Sequence, residues 1–336
     1  LIAGPLSDAV GRKKVLYVGL GLYAAGSVVS MLADSMTVML AGRLLQGLGV
    51  AGPYVSAVAI IRDKYKGADM ARIMSLVMMI FVIVPSLAPA LGQMILFVAS
   101  WRAIFGFFFV AAVGIAIWVY YGLEETLPPE KRIRLKALDI ALGFREVFAN
   151  HITTGYMICM GLTFGSFMGY LNSTRQIFQD LFDTGVMFSA YFGGLALVFG
   201  GASLFNSRIV QRLGMQILCH RAALSLIAAS ALYLAFRSVF GDMLWPFLMY
   251  VSVLYFAMGL LFGNLNALAM EPMGHIAGIA SAVIGATSSI ISLTLGTLIG
   301  QMYDGTLVPI TAGFGLLAVC SLLMMRKTAR QTLAPA

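Results

Sequence analysis

The feature that most constrains this chain is a series of apolar stretches, separated by short segments that hold most of the charges. Each stretch is about 20 residues long, which as a helix crosses the roughly 30 Å hydrocarbon core of a bilayer. Of the 336 residues, 60% are hydrophobic and only 11% are charged, whereas a soluble domain has about 25% charged residues. The excess predicts a surface that faces lipid. Because the stretches are continuous and do not alternate, we expect helices and not a β-barrel.

Membrane-spanning helices are predicted at ten places, with short connections between most of them. The exception is the segment 123–150, which is charged, contains two prolines and separates four spans from six. We therefore expect an all-α membrane protein with an N-terminal bundle at 1–122, a cytoplasmic central loop at 123–150 and a C-terminal bundle at 151–336. The predicted spans are 15–33, 36–61, 72–98, 103–122, 152–174, 187–206, 215–236, 244–270, 276–300 and 307–325.

The basic residues lie mostly in alternate loops, including the opening segment, the central loop and the C-terminal tail. Cytoplasmic loops of membrane proteins carry an excess of Lys and Arg. This distribution predicts that these three segments face the cytoplasm. It also explains the net charge of +8 by topology, so we expect a lipid bilayer around the chain and no nucleic-acid partner.

The two halves of the chain contain similar segments. "SDAVGRKKVL" (7–16) is similar to "VQRLGMQIL" (210–218), with Gly11 at the position of Gly214, and "ALGQM" (90–94) is similar to "LIGQM" (298–302). A repeat of about 205 residues indicates two homologous bundles related by an axis along the membrane normal, as in one large transporter class. Since six spans follow the divide, we expect six before it, two of them ahead of Leu1.

The opening stretch "GPLSDAVGRKKV" resembles the loop between helices 2 and 3 of the major facilitator superfamily, G-x-L-x-D-x-x-G-R-K, although Ala9 stands where a basic residue is usual. Gly11 suits a tight turn, and an acidic residue such as Asp8 is favoured near a helix N-terminus. The resemblance implies a cytoplasmic latch between the two halves in the outward-facing state; an ordinary basic loop is the alternative. The matching residues are Gly4, Asp8, Gly11, Arg12 and Lys13.

"LAGRLLQGLGVAG" (40–52) resembles the helix 4 motif of the same superfamily, with Arg43, Gln46, Gly47 and Gly49 matching. An arginine within a membrane span is costly, so it should face the bundle interior or water and have a partner. Helical periodicity predicts that Gln46 and Tyr54 share a cavity wall with Arg43. The alternative is that Arg43 snorkels to the outer surface. The resemblance implies a role for Arg43 in proton transfer.

"VPSLAPALGQ" (84–93) resembles the helix 5 motif of proton-coupled drug exporters, G-P-x-x-G-G, in Pro89 and Gly92, while Ala88 and Gln93 replace glycines. Pro85 and Pro89 lie four residues apart and each removes a helix hydrogen bond, so this span should bend. The bend is either part of the transport mechanism or a structural kink alone.

Further segments resemble the bicyclomycin-resistance-like branch of the twelve-helix drug:proton antiporters. They are "SWRAIFGFFFV" (100–110), "EETLPPEKR" (124–132), "YFGGLALVFGGASLFNSRIVQRLG" (191–214) and "EPMGHIAGIASAVIG" (271–285). The resemblance implies a major facilitator fold with ten of twelve helices present. It further implies a monomer in the inner membrane that exports small amphipathic compounds by alternating access, driven by protons. The alternatives are an exporter or importer of one metabolite, or a chain that as given does not transport.

Other residues give weaker indications. Tyr170, Asn264 and Asn266 could line a substrate cavity, or the asparagines could join helices by hydrogen bonds. The spacing of the three cysteines suits neither a metal site nor a disulfide framework. Without a phosphate-binding loop we expect neither ATP use nor any other cofactor, and no enzyme. No Asp or Glu lies deep in a predicted span; the resemblance implies that the titrating carboxylate belongs to a helix ahead of Leu1.

Overall fold

The computed structural model describes residues 3–65, 73, 77, 84, 88, 91–132 and 137–333, and these are helical with short connections and no strand. This confirms the predicted all-α fold. Residues 91–98 are also helical but belong to a predicted span, 72–98, that lies largely outside the described residues. The helices with described bounds are α1 Ala3–Val10, α2 Arg12–Met31, α3 Met36–Lys64, α4 Arg102–Gly122, α5 Ala137–Ala149, α6 His151–Arg175, α7 Phe188–Leu213, α8 Met215–Phe240, α9 Leu244–Met270, α10 Ala277–Gln301 and α11 Val308–Leu333.

Most of the predicted spans coincide with helices. In the described part of the chain, 8 helices are long and apolar enough to cross a membrane, and they correspond to α2–α4 and α7–α11. The predicted span 152–174 corresponds to α6, which does not meet the same criterion of length and composition. Glycines and hydroxyl side chains dilute its apolar residues, and many of them are buried against other helices.

The chain divides at residues 139–140 into two compact units. In the first unit, α2 packs against both α3 and α4. The backbones of α2 and α3 approach closely at glycines: a Cβ on Gly26 would lie 2.6 Å from the carbonyl oxygen of Gly42, and one on Gly49 would lie 2.5 Å from the amide nitrogen of Tyr23. Small residues allow such contact between membrane helices.

In the second unit, α6 packs against α9, α10 and α11. Hydrogen bonds cross two of these contacts: Thr163 Oγ1 of α6 lies 3.4 Å from Ser321 Oγ of α11, and Ser288 Oγ of α10 donates to the carbonyl oxygen of Met157 in α6 at 3.1 Å. Buried polar groups need such partners. Enclosure by three neighbours explains why α6 is less apolar than the helices around it.

The segment 123–150, predicted as a loop, is partly helical. A short 3₁₀ helix covers Pro129–Lys131, and α5 occupies Ala137–Ala149. Asn150 separates α5 from α6, and its Oδ1 accepts hydrogen bonds from the amides of Ile152 and Thr153 at 3.1 and 3.0 Å. Asn is favoured at this capping position because its side chain satisfies amides that have no partner within the helix.

Candidate functional site

A chain of polar groups connects α3 to α2 in the first unit. Arg43 Nη1 donates to Gln46 Oε1 at 2.7 Å, and Gln46 Nε2 donates to Ser27 Oγ at 2.7 Å. Ser27 Oγ in turn donates to the carbonyl oxygen of Tyr23 at 2.8 Å. Gln46 and Ser27 are buried, 3% and 0% exposed. The close packing of α2 and α3 at Gly26 and Gly42 brings Ser27 within reach of Gln46.

Arg43 lies at the exposed end of this polar chain. Arg43, Gly47, Val50 and Tyr54 are exposed along one side of α3, whereas Gln46, which helical spacing predicted on the same face, is buried against α2. The guanidinium also lies 6.0 Å from the centre of the Phe105 ring, at the limit of a cation–π contact. Tyr54 is eleven residues, or about 16 Å, further along the helix, so it shares the side of α3 with Arg43 but not the hydrogen-bonded cluster.

A second cluster surrounds Arg12, where the chain turns from α1 into α2. The Arg12 side chain is 4% exposed and forms ion pairs with Asp8 at 2.5 Å and with Asp63 at 3.1 Å. Its Nη1 also donates to Ser7 Oγ at 3.1 Å. These partners join the end of α3 to the turn between α1 and α2, because a buried cation needs both charge neutralisation and hydrogen bonds.

Glu125, which the motif did not indicate, caps the N-terminus of α2. Its carboxylate accepts hydrogen bonds from the amides of Arg12 and Lys13 at 3.0 and 3.2 Å, and from the amide of Leu127 at 3.1 Å. The predicted anion at a helix N-terminus is therefore Glu125, while Asp8 pairs with Arg12. Glu125 lies shortly after α4, beyond Leu123 and Glu124. Its charge near an apolar helix was visible in the sequence, but its partner 113 residues away was not.

Lys13 ties the same turn to the end of α4. Its Nζ donates to the carbonyl oxygens of Leu123 at 2.6 Å and Tyr120 at 3.3 Å. The last carbonyls of a helix have no partner within it and favour a cation. Gly4 lies in α1 beside α3, where a Cβ would be 3.7 Å from Val55 Cγ1. The five predicted latch residues thus lie in one region of the first unit, and Arg12, Lys13 and Asp8 make direct polar contacts there.

The remaining predicted residues are more dispersed. Pro85 and Pro89 lie outside the described residues; Gly92 lies in the helical stretch 91–98, with open space around the position of a Cβ. Tyr170 is 1% exposed and lies among the aromatic rings of the second unit, including Phe167 and Tyr255. The structure places it in the packed core and not on a cavity wall.

The two asparagines have different environments. Asn264 is 3% exposed, and its Nδ2 donates to Asn206 Oδ1 at 2.7 Å and to the carbonyl oxygen of Leu260 at 2.9 Å. Asn206 Nδ2 returns a bond of 3.4 Å to Asn264 Oδ1. This reciprocal pair links α7 to α9, which is the helix-joining arrangement. Asn266 is exposed on α9.

Acidic groups are sparse in the described membrane helices. In α2–α4 and α6–α11, as described, Asp63 is the one acidic residue, and it lies next to the last residue of α3. The same residues hold no group of three His, Cys, Asp or Glu side chains that could hold a metal ion. The chemistry that the described part of the first unit offers within its spans is therefore a hydrogen-bonded cation.

Comparison with known proteins decides the family. The model of the Major Facilitator Superfamily matches residues 1–297. The chain belongs to this superfamily. It is 30% identical over 321 residues to the "Uncharacterized MFS-type transporter YdgK" of Bacillus subtilis, covering 93% of this chain and 78% of that protein.

A second relative supports the predicted branch of the superfamily. The "Bicyclomycin resistance protein homolog" of Haemophilus influenzae is 27% identical over 328 residues, covering 96% of this chain and 81% of that protein. The solved human organic anion transporter MFSD10 has the same fold, with a TM-score of 0.67 and 21% identity over 96% of this chain and 79% of that one. The predicted major facilitator fold and the resemblance to the bicyclomycin-resistance branch are confirmed.

Proposed function

We propose that this protein exports small amphipathic compounds across the inner membrane in exchange for entering protons, as a monomer with its C-terminus in the cytoplasm. Membership of a transporter superfamily and similarity to a bicyclomycin resistance homolog support the transport of small molecules outwards. The observation that carries proton coupling is Arg43, a cation within a membrane helix that donates to Gln46, which in turn donates to Ser27.

The polar chain suggests how Arg43 would act. A cation in a membrane helix strongly favours a nearby carboxylate in its charged form. When a proton neutralises that carboxylate, the attraction to Arg43 is lost, which is a change in charge that can bias a conformational equilibrium. Gln46 accepts from the guanidinium and donates to Ser27, so it fixes the direction of Arg43 while leaving its other N–H groups for such a partner.

Substrate transport driven by a pH gradient tests the proposal. Membrane vesicles with an imposed gradient would be supplied with bicyclomycin and a panel of amphipathic fluorescent compounds. We expect accumulation that an uncoupler abolishes, and that Arg43→Gln reduces at least tenfold, a factor that equals about 1.4 kcal/mol. Gln46→Leu should reduce it less, because the charge remains.

The matched control is Arg102→Gln, in the same unit. Arg102 pairs with Asp34 at 3.2 Å, with both side chains substantially exposed, and such surface pairs contribute little. Its removal should leave export unchanged. Accumulation that persists in the presence of the uncoupler would contradict proton coupling. Equal effects of Arg43→Gln and Arg102→Gln on export would show that Arg43 has no specific role in the mechanism.

A further inference from the structure

The second unit has an open groove on its surface that the transport proposal does not use. It has a volume of about 450 Å³ and lies between α7, α8 and α9. Its walls are mainly apolar, with Val198 from α7 and Val253, Phe256 and Leu260 from α9. In a protein of this superfamily, an apolar groove on an outer surface is accessible to lipid.

One end of the groove carries a cation. Arg221 belongs to the groove lining and is exposed. It is the seventh residue of α8, so its Cα lies about 9 Å along the helix from Met215. Among the residues that the structure describes, none forms a hydrogen bond or an ion pair with its guanidinium; the arginines with ion pairs there are Arg12, Arg102 and Arg237.

The other polar groups of the groove are already engaged. Ser225 Oγ donates to the carbonyl oxygen of Ala222 at 2.8 Å, and Ser252 Oγ donates to that of Leu248 at 2.7 Å. The segment 188–241, which holds both α7 and α8, contains no Asp or Glu but has four arginines. The groove therefore combines apolar walls with one unpaired guanidinium in a positively charged neighbourhood.

We infer that this groove binds an anionic phospholipid, with its phosphate at Arg221 and an acyl chain along the apolar walls of α7 and α9. A planar guanidinium matches the geometry of a phosphate and is more weakly hydrated than an ammonium group. An arginine one or two turns inside a span can reach the headgroup level by extending its side chain. A zwitterionic lipid offers the same acyl chain but adds a positive charge, so the site should prefer the anionic headgroup.

Lipid binding to the purified full chain tests the inference. Native mass spectrometry would measure the dissociation constants of phosphatidylglycerol and phosphatidylcholine with identical acyl chains. We expect phosphatidylglycerol to bind about fivefold more tightly, which is the factor that one basic residue near a membrane surface contributes. Arg221→Gln should abolish this preference, and Arg221→Lys should keep most of it.

Two further variants separate the charge from the groove. Arg212→Gln removes an exposed arginine from the end of α7 that does not line the groove, and it should leave the preference intact. Val253→Trp, or Ser225→Leu if the first does not fold, should fill the groove and weaken the binding of both lipids by the same factor.

The inference would be overturned by an unchanged preference in Arg221→Gln, or by an equal loss in Arg212→Gln. Displacement of phosphatidylglycerol by millimolar glycerol phosphate would also overturn it, because the site would then hold a phosphate without needing an acyl chain. Since these readouts are lipid affinities, they are independent of whether the protein exports a drug.

Discussion

Each unit contains a turn in which a single glycine joins two consecutive helices, and the two turns differ in what surrounds them. Gly11 joins α1 to α2 with φ 110° and ψ 149°; Gly214 joins α7 to α8 with φ 81° and ψ 151°. The amide of Gly11 bonds the carbonyl of Ser7, and that of Gly214 bonds the carbonyl of Val210. The backbone turn is therefore the same in both units.

The surroundings are charged in the first turn and open in the second. A Cβ on Gly11 would lie 2.6 Å from Glu125 Oε2, whereas nothing lies within 4 Å of the same position on Gly214. The Glu125 carboxylate caps α2, while α8 has no side-chain cap. The internal repeat thus specifies the path of the backbone, and the first unit adds a charged network to that path.

The largest expected effect comes from Arg12→Ala. This change removes a buried cation and leaves Asp8 and Asp63 without it, which should destabilise the protein by about 3–5 kcal/mol. Thermal unfolding of the purified protein would show the loss as a large decrease in Tm. Arg212→Ala, beside the second turn, should change stability by about 0.5 kcal/mol or less, since Arg212 is exposed. Equal decreases would show that the charged network adds nothing to the first turn.

The two glycines provide the next comparison. Alanine at either position must adopt a backbone conformation that only glycine adopts easily, at a cost of about 1–3 kcal/mol. Gly11→Ala must also displace the Glu125 carboxylate, so we expect it to cost about 2 kcal/mol more than Gly214→Ala. Unfolding of the two variants side by side measures this difference. A larger effect at Gly214 would contradict the role assigned to Glu125.

Glu125→Gln should have a smaller effect, about 1–2 kcal/mol, because the amide keeps an acceptor oxygen but loses the charge. In the Gly11→Ala background the same substitution should cost almost nothing, because the carboxylate has already been displaced. Such non-additivity identifies residues in contact. Additive effects in this double-mutant cycle would mean that Gly11 and Glu125 act independently.

The smallest change in stability is expected for Asp8→Asn, about 1 kcal/mol or less, because Asp8 is 40% exposed. If the turn is part of a cytoplasmic latch, this variant should nevertheless shift the conformational balance towards the inward-facing state. Cysteine labelling from the two sides of the membrane would detect the shift. Identical labelling in the variant and the parent protein would indicate an ordinary basic loop.

The sequence predicted those features that depend on local spacing. Long apolar runs identified the membrane helices, and the i, i+3 spacing of Arg43 and Gln46 placed their side chains in contact. The likeness of the segments around Gly11 and Gly214 anticipated the common turn. These features depend on hydropathy or on helical periodicity, which a single segment contains.

Features that depend on distant packing could not be predicted. Ser27 as the partner of Gln46, Glu125 as the cap of α2 and Asn206 as the partner of Asn264 each require two helices in contact. The burial of α6 depends on three neighbours, so its modest apolarity did not distinguish it from the lipid-facing spans. Tyr170 was placed with the substrate cavity because an aromatic residue in a span suits both a cavity wall and a core.

Proton movement that accompanies substrate movement is the most direct test of the proposed mechanism. Vesicles holding the protein and a pH-sensitive dye would receive a substrate found in the export screen, with no gradient imposed beforehand. We predict a substrate-induced proton flux that is opposite in direction to the substrate, absent in Arg43→Gln and preserved in Arg102→Gln. Substrate movement without any proton flux in the parent protein would contradict proton-coupled export.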